Sequence, residues 1–127
     1  MLQLRKPTAK QRQGRAAEQL AQRFLQQHGL RRVTSNYHCR HGEIDLIMRD
    51  DDGLVFVEVR YRSRAGHGSG LDSIDHFKQQ RLLQAARHYL AKHPRWLNRP
   101  CRFDVISIDG ALEMSAVQWI SNAISEN

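Results

Sequence analysis

Three charged side chains, Asp45, Glu58 and Arg60, stand inside two otherwise apolar runs, Ile44-Asp-Leu-Ile-Met and Leu54-Val-Phe-Val-Glu-Val-Arg. Removing a charge from water costs several kcal/mol unless a partner offsets it, so this pattern asks for a salt bridge, a phosphate or a metal ion. Two carboxylates and a guanidinium brought together would supply hard oxygen ligands and a cation, which is what chemistry at a phosphate needs.

Residue parity gives their geometry. Ile44, Leu46 and Met48 alternate with Glu43, Asp45, Ile47 and Arg49, and Val55, Val57, Val59 and Tyr61 alternate with Phe56, Glu58 and Arg60, so each run is a strand with two distinct faces. Asp50-Asp51-Asp52-Gly53 joins them, and its Asp-Gly pair suits a primed hairpin turn in which Gly accepts positive φ. A two-residue loop, Asp52-Gly53, sets Asp45 opposite Arg60 and diagonal to Glu58; a four-residue loop, Asp50 to Gly53, sets Asp45 opposite Glu58. Both registers place the three charges on one face, with cross-strand Cβ atoms about 4.5 to 5.5 Å apart and diagonal ones about 7 to 8 Å, so one divalent cation reaches both carboxylates. A three-residue loop would send Asp45 to the other face. The competing reading is a solvated face on which Asp45 pairs with Arg60, but strands this apolar on both faces are those covered on both sides.

The elements that must position these residues follow from periodicity. Ala17, Leu20, Ala21, Phe24 and Leu25 recur at helical spacing and predict a helix from about Gln13 to His28, with Gly29 suited to its C-terminal cap. Glu18 adjoins its apolar stripe and can reach over the sheet edge toward Asp45. A short strand is expected around Arg32 to His38. Ser63 to Asp72, with Gly66, Gly68 and Gly70, reads as a mobile loop without the spacing or lysine of a P-loop. Ser73 can cap a second helix whose apolar face holds Ile74, Phe77, Leu82, Ala85, Ala86, Tyr89 and Leu90, with Pro94 closing it. Trp96 and Leu97 are expected to pack. Arg102 to Asp109 alternates as a strand, and Val117, Ile120, Ala123 and Ile124 predict a short closing helix. The order is α-β-β-β-α-β with a helical tail, which builds a mixed α/β sheet flanked by helices.

With these residues in view, Gly42-Glu-Ile-Asp-Leu-Ile and Val55-Phe-Val-Glu-Val-Arg resemble the strings of the YraN-like family, bacterial proteins of the PD-(D/E)XK nuclease superfamily alongside archaeal Holliday junction resolvases. Gly14 with Glu18, Asn36-Tyr37, Lys78 and Arg102-Phe-Asp-Val extend the resemblance over nearly the whole chain. It implies a restriction-endonuclease-like core, with Asp45 and Glu58 as metal-binding carboxylates and Glu18 as the acidic residue lent by the first helix. The implied activity is Mg²⁺- or Mn²⁺-dependent hydrolysis of phosphodiester bonds in structured or branched DNA. Arg60 stands where the superfamily carries lysine. Arginine grips phosphate through a planar fork but stays charged and makes a poor general base, so the same resemblance also admits a module that binds DNA or RNA without cutting. Nucleases of this type often work in pairs, and a homodimer is compatible with the resemblance.

Composition agrees with a polyanionic partner. The 127 residues suit a single domain, 1–127, with a flexible basic segment at about 1–12 and the Gly-rich loop at about 63–72. Lys plus Arg number 20 against 13 Asp plus Glu, a formal net charge of +7 that favours nucleic acid or an acidic membrane surface, and the family resemblance implies DNA before RNA. Arg12 and Arg15 near the N-terminus, Arg60, Arg62 and Arg64 leaving the hairpin, and Lys78 on the second helix flank the acidic residues as phosphate contacts. A solubilising surface accounts for some of them, and a protein-interaction adaptor is a third, weaker reading. No apolar run has the length of a membrane span, and the basic start is not followed by a signal-peptide core, so a cytoplasmic protein is expected. Cys39 and Cys101 lack CxxC spacing, which argues against a disulfide or a zinc site, and the neighbours His38, Cys39 and His41 fall on alternating faces.

Overall fold

The computed structural model describes residues 5–63 and 75–124. Two helices, α1 (Ala9–Gln27) and α2 (His76–Lys92), lie on opposite faces of a five-stranded sheet. The strands are β1 (Arg31–Cys39), β2 (Gly42–Arg49), β3 (Leu54–Arg62), β4 (Cys101–Asp109) and β5 (Val117–Ile124), and they lie side by side in that order. Only the β3–β4 pairing is parallel, because α2 provides the crossover between those strands. This is the expected α-β-β-β-α-β mixed sheet, with one change at its end.

That change is β5. The apolar spacing of Val117, Ile120, Ala123 and Ile124 predicts a helix, but after a short 3-10 turn the chain enters a strand antiparallel to β4. The register slips by two residues beyond Val105, at a point where Asn122 adopts φ 54°. Its backbone N–H donates to Asp104 at 2.8 Å, and the same carboxylate accepts from Trp119 Nε1 at 2.9 Å and from Arg102 Nε. The slip of two keeps strand parity: Val117 and Trp119 pack beneath α1 and Ile120 and Ile124 beneath α2, and apolar residues on both faces give the strand a helix-like spacing. Asp104 is fully buried, and these donors supply the hydrogen bonds that burial demands.

The helix α1 begins about one turn earlier than its apolar stripe suggests. Thr8 and Gln11 form a capping box, with Gln11 N–H donating to Thr8 Oγ1 at 3.1 Å and Thr8 N–H donating to Gln11 Oε1 at 2.9 Å. Arg12 is therefore helical, and of the basic segment only residues 1–4 lie outside the described residues. At the other end Gly29, at φ 92°, and Leu30 send their N–H groups back to Gln26 and Leu25, a Schellman-type stop. Asp75 caps α2 by accepting from Lys78 N–H at 2.8 Å. Ser73, Ile74 and nearly all of the Gly-rich loop lie outside the described residues. Phe77 departs from the expected apolar face: it is 69% exposed, under the Arg81 guanidinium.

The hairpin takes the four-residue loop. Arg49 pairs with Leu54, Met48 with Val55, Ile47 with Phe56 and Leu46 with Val57, which projects Asp45 toward Glu58. Gly53 has no positive φ, so the primed turn suggested by Asp-Gly does not form. Asp50 folds the loop instead, its carboxylate accepting the N–H groups of Asp52 and Gly53 at 2.9 Å each. Gly53 is needed for another reason: a Cβ there would stand 1.8 Å from the Pro100 carbonyl oxygen. Gly42 is similarly pressed, since a Cβ there would stand 2.1 Å from the Arg81 carbonyl oxygen of α2.

We expect Gly42→Ala and Gly53→Ala each to lower the denaturant midpoint by an amount equivalent to about 1–3 kcal/mol, as for overpacked sites. Gly14, with nothing within 4 Å of its would-be Cβ, gives the control. Equilibrium urea unfolding should show Gly14→Ala unchanged or stabilised by up to about 1 kcal/mol.

Candidate metal centre and groove

The acidic cluster forms where β2 and β3 part. Their regular pairing stops at Leu46 with Val57, and beyond it Val59 N–H donates at 2.8 Å to Asp45 Oδ2 instead of to a backbone carbonyl. Strand alternation breaks at the same place: Ile44 packs with Ile47 in the core beneath α2, whereas Leu46 and Met48 pack beneath α1. Opposite Asp45 on β1, Asn36 adopts φ 53°. The expectation that Asp45, Glu58 and Arg60 share one face is corrected accordingly. Glu58 and Arg60 follow the parity of Phe56 toward α2, while Asp45 lies in the seam between the strands.

From that seam Asp45 meets acids on either side. Glu18 of α1 lies close enough to Asp45 and Asn36, and Glu58 close enough to Asp45, for their titrations to be linked. Burial, then the charge and hydrogen bond of Asp45, raise the Glu58 carboxyl to about 8, against a downward pull from Arg60 and Lys78. Burial and the same Asp45 charge raise Glu18 to about 7, with Asn36 opposing. Asp45 is itself raised by burial, against the downward pull of the Val59 N–H and of the neighbouring Glu18 and Glu58. The three carboxyl groups thus hold protons to a higher pH than they would apart.

Arg60 and Lys78 approach this cluster closely enough to act on Glu58. Arg60 lies in register with Ser107 of β4, and Lys78 extends from the first turn of α2. Glu18 also lines two grooves. One, of about 680 Å³, runs between α1 and the end of β3, past Lys10, Gly14, Tyr61 and Arg62. The other, about 360 Å³, carries Arg15, Arg32 and Asn36. The absent side chain at Gly14 leaves the first groove open where a helix would otherwise fill it, and Tyr61 on its wall is fixed by donating to the Gly110 carbonyl at 3.1 Å.

Of the expected phosphate contacts, Arg60 and Lys78 stand at the acidic cluster and Arg15 and Arg62 at the grooves. Arg12 is exposed and donates to the Pro7 carbonyl at 2.8 Å, and Arg64 lies outside the described residues. In the sequence Asn36 stands out only through the family resemblance, without a role at the site. Asn36 could have been flagged further only as one of the few residue types that tolerate the left-handed conformation. His38 turns to Glu43 at 3.2 Å, so the His38-Cys39-His41 run is no joint site.

The donor set suits a small hard cation. Mg²⁺ and Mn²⁺ prefer oxygen ligands, and Mg²⁺ is commonly held by only one or two carboxylates with water and phosphate completing the shell. Asp45 and Glu58 are the two carboxylates of this cluster that could supply such ligands. Among the described residues no group of three or more His, Cys, Asp or Glu side chains is arranged to hold a metal ion.

Comparison with known proteins places the chain by ancestry. Residues 17–108 match the model of the family described as "Uncharacterised protein family UPF0102". A UPF0102 protein of Pseudomonas putida strain GB-1 is 50% identical over 113 residues, covering 88% of this chain and 92% of that one. One from Nitrosococcus oceani is 48% identical over 118 residues, covering 93% and 95%, and one from Alcanivorax borkumensis 47% over 116, covering 91% and 93%. The chain belongs to the UPF0102 family, the YraN-like family that its motifs resemble. No helix among the described residues is long and apolar enough to cross a membrane.

The raised glutamates make stability depend on pH. Below about 4.5, the ordinary carboxyl value, folded and unfolded chains are both protonated; above it the unfolded chain releases protons that the folded one retains until about 7 to 8. Their contribution is therefore complete in acid and lost as pH rises through that window. Without divalent ions, the thermal midpoint should fall between about pH 5 and pH 8 more steeply in the natural protein than in Glu58→Gln, whose amide does not titrate. Equal slopes in scanning calorimetry would mean that Glu58 does not hold this proton.

Proposed function

We propose that this protein is a metal-dependent endonuclease that hydrolyses phosphodiester bonds in structured or branched DNA. The observation that carries the proposal is the meeting of Glu18, Asp45 and Glu58, from three separate elements, beside Arg60 and Lys78 and along a groove with basic walls. Asp45 and Glu58 would hold Mg²⁺ or Mn²⁺, and a divalent ion bound there supplies charge neutralisation on phosphate and a more acidic water. To bind it, Glu58 must give up its proton, which Arg60 and Lys78 favour. Arg60 steadies the charge that gathers on phosphorus-bound oxygens as the bond breaks. Glu18, with a carboxyl near neutrality, is poised to accept or return a proton as an auxiliary acid. Lys10, Arg15, Arg62 and Lys78 take backbone phosphates, and exposed Phe77 beside Lys78 offers a ring on which an unpaired base can stack.

One observation favours a second reading, a nucleic-acid-binding module that does not cut. Arg60 cannot shed a proton as lysine can, and Glu58 holds its own until about 8, so both groups are poor bases at neutral pH.

Cleavage of labelled duplex, single-stranded, flap and four-way-junction DNA with and without Mn²⁺ decides between them. We expect divalent-dependent cleavage, lowered at least about a hundredfold in Asp45→Ala and Glu58→Ala, the upper range for losing even a group that merely orients a ligand. Arg60→Lys should retain or raise it. Calorimetric Mn²⁺ binding should disappear in the same two alanine variants. Background cleavage identical in the natural protein and Glu58→Ala, with DNA binding intact, would leave the non-cutting module.

A further inference from the structure

A second cluster of cations lies at the opposite end of the hairpin. The guanidinium carbons of Arg49, Arg95 and Arg99 stand 5.2, 5.1 and 5.4 Å from the centroid of one indole ring, that of Trp96. These four residues line a cavity of about 150 Å³, several times the roughly 30 Å³ that a water molecule occupies in the liquid. Trp96 is 4% exposed and belongs to the core beneath α2, so the ring is a fixed platform. Arg95 and Arg99 reach it from the turn after α2, and Arg49 from the end of β2.

We infer that Arg49, Arg95 and Arg99, gathered on Trp96, form a binding site for a phosphate oxyanion, distinct from the acidic centre. Shielding the indole calls for one stacked arginine, and such a contact contributes only about 0.5–1 kcal/mol at an exposed site. Three like charges around one ring repel each other. Among the described residues the ion pairs go elsewhere, Asp50 and Asp104 to Arg102 and Asp51 to Arg31, and none engages these three. Two N–H donors of the same cluster, Arg49 Nε and Trp96 Nε1, are buried without a hydrogen-bond partner. Buried donors of this kind normally have one. An oxyanion converts the mutual repulsion into charge-assisted hydrogen bonds, and the planar forks of arginine match phosphate geometry. Arg49 stands four positions beyond Asp45 on β2, about 13 Å along a strand, so the site does not share ligands with the carboxylates. The phosphate can come from a free small molecule or from a nucleic-acid backbone, and the inference does not depend on metal binding or cleavage.

The two tryptophans allow a test with an internal control. Their indole ¹H–¹⁵N signals are followed while inorganic phosphate replaces chloride at constant ionic strength, and separately while a short single-stranded oligonucleotide is added in EDTA. Trp96→Phe assigns the peaks. We expect the Trp96 signal to move saturably and that of Trp119, already bonded to Asp104, to stay in place. In Arg95→Ala/Arg99→Ala, which alters two exposed side chains, affinity should fall at least tenfold with the Trp119 peak and thermal midpoint unchanged. A response to oligonucleotide that phosphate competes away identifies the backbone as the source, and a response to phosphate alone identifies a free phosphate compound. A Trp96 signal still in both arms, moving together with Trp119, or moving equally in the double variant overturns the site. Repeating the titration in Glu58→Gln separates the two hypotheses: a retained Trp96 response with no Mn²⁺ binding leaves this site standing whatever becomes of the nuclease reading.

Discussion

The bond from Val59 N–H to the Asp45 carboxylate is the constraint around which the molecule is arranged. A backbone donor in a sheet must find an acceptor, and at this point β3 takes a side chain in place of the main chain of β2. The ladder therefore ends without leaving an orphan, and the strands can part. Into the opening come a glutamic acid from α1 and another from β3. Burial raises both carboxyl groups and so favours their protonated forms, which need no ion pair.

This arrangement explains how a strongly basic protein keeps an acidic site. The cations are set around the carboxyl cluster and not within it: Arg60 and Lys78 temper Glu58, while Lys10, Arg15 and Arg62 line the grooves beside Glu18. Elsewhere acids and bases pair conventionally, as in the Asp50–Arg102–Asp104 chain that ties the hairpin loop to β4. There the N–H groups of Gly53 and Asp52, aided by Arg102, hold the Asp50 carboxyl below its ordinary value, the reverse of the acidic cluster. The two environments differ in whether donors or other carboxylates face the acid.

How much of this was legible in the sequence depended on whether the signal was periodic. The parity of the two hairpin strands, the apolar stripe of α1 and the glycine stop at Gly29 are local signals, and they put Asp45, Glu58 and Glu18 on the elements that carry them. The four-residue loop was one of two open registers, since Asp50 folding back on the turn is a side-chain choice that residue alternation does not encode. The errors had separate causes. β5 looked helical because apolar residues lie on both of its faces, and alternation is broken where Asn36 faces Asp45, which moved the aspartate from a sheet face to the seam. The gathering of Arg49, Arg95 and Arg99 on Trp96 joins segments more than forty residues apart in the chain, beyond the reach of any local pattern.

The close approach of Gly42 to the Arg81 carbonyl carries a consequence for alignment. Arg81 sits one helical turn beyond Lys78, and Gly42 three residues before Asp45. The contact thus acts as a spacer gauge between helix and strand, fixing how far an ammonium group stands from the carboxylates. Because attraction between charges weakens with separation, a side chain as small as a methyl group at position 42 would loosen that tuning without touching a single reacting atom.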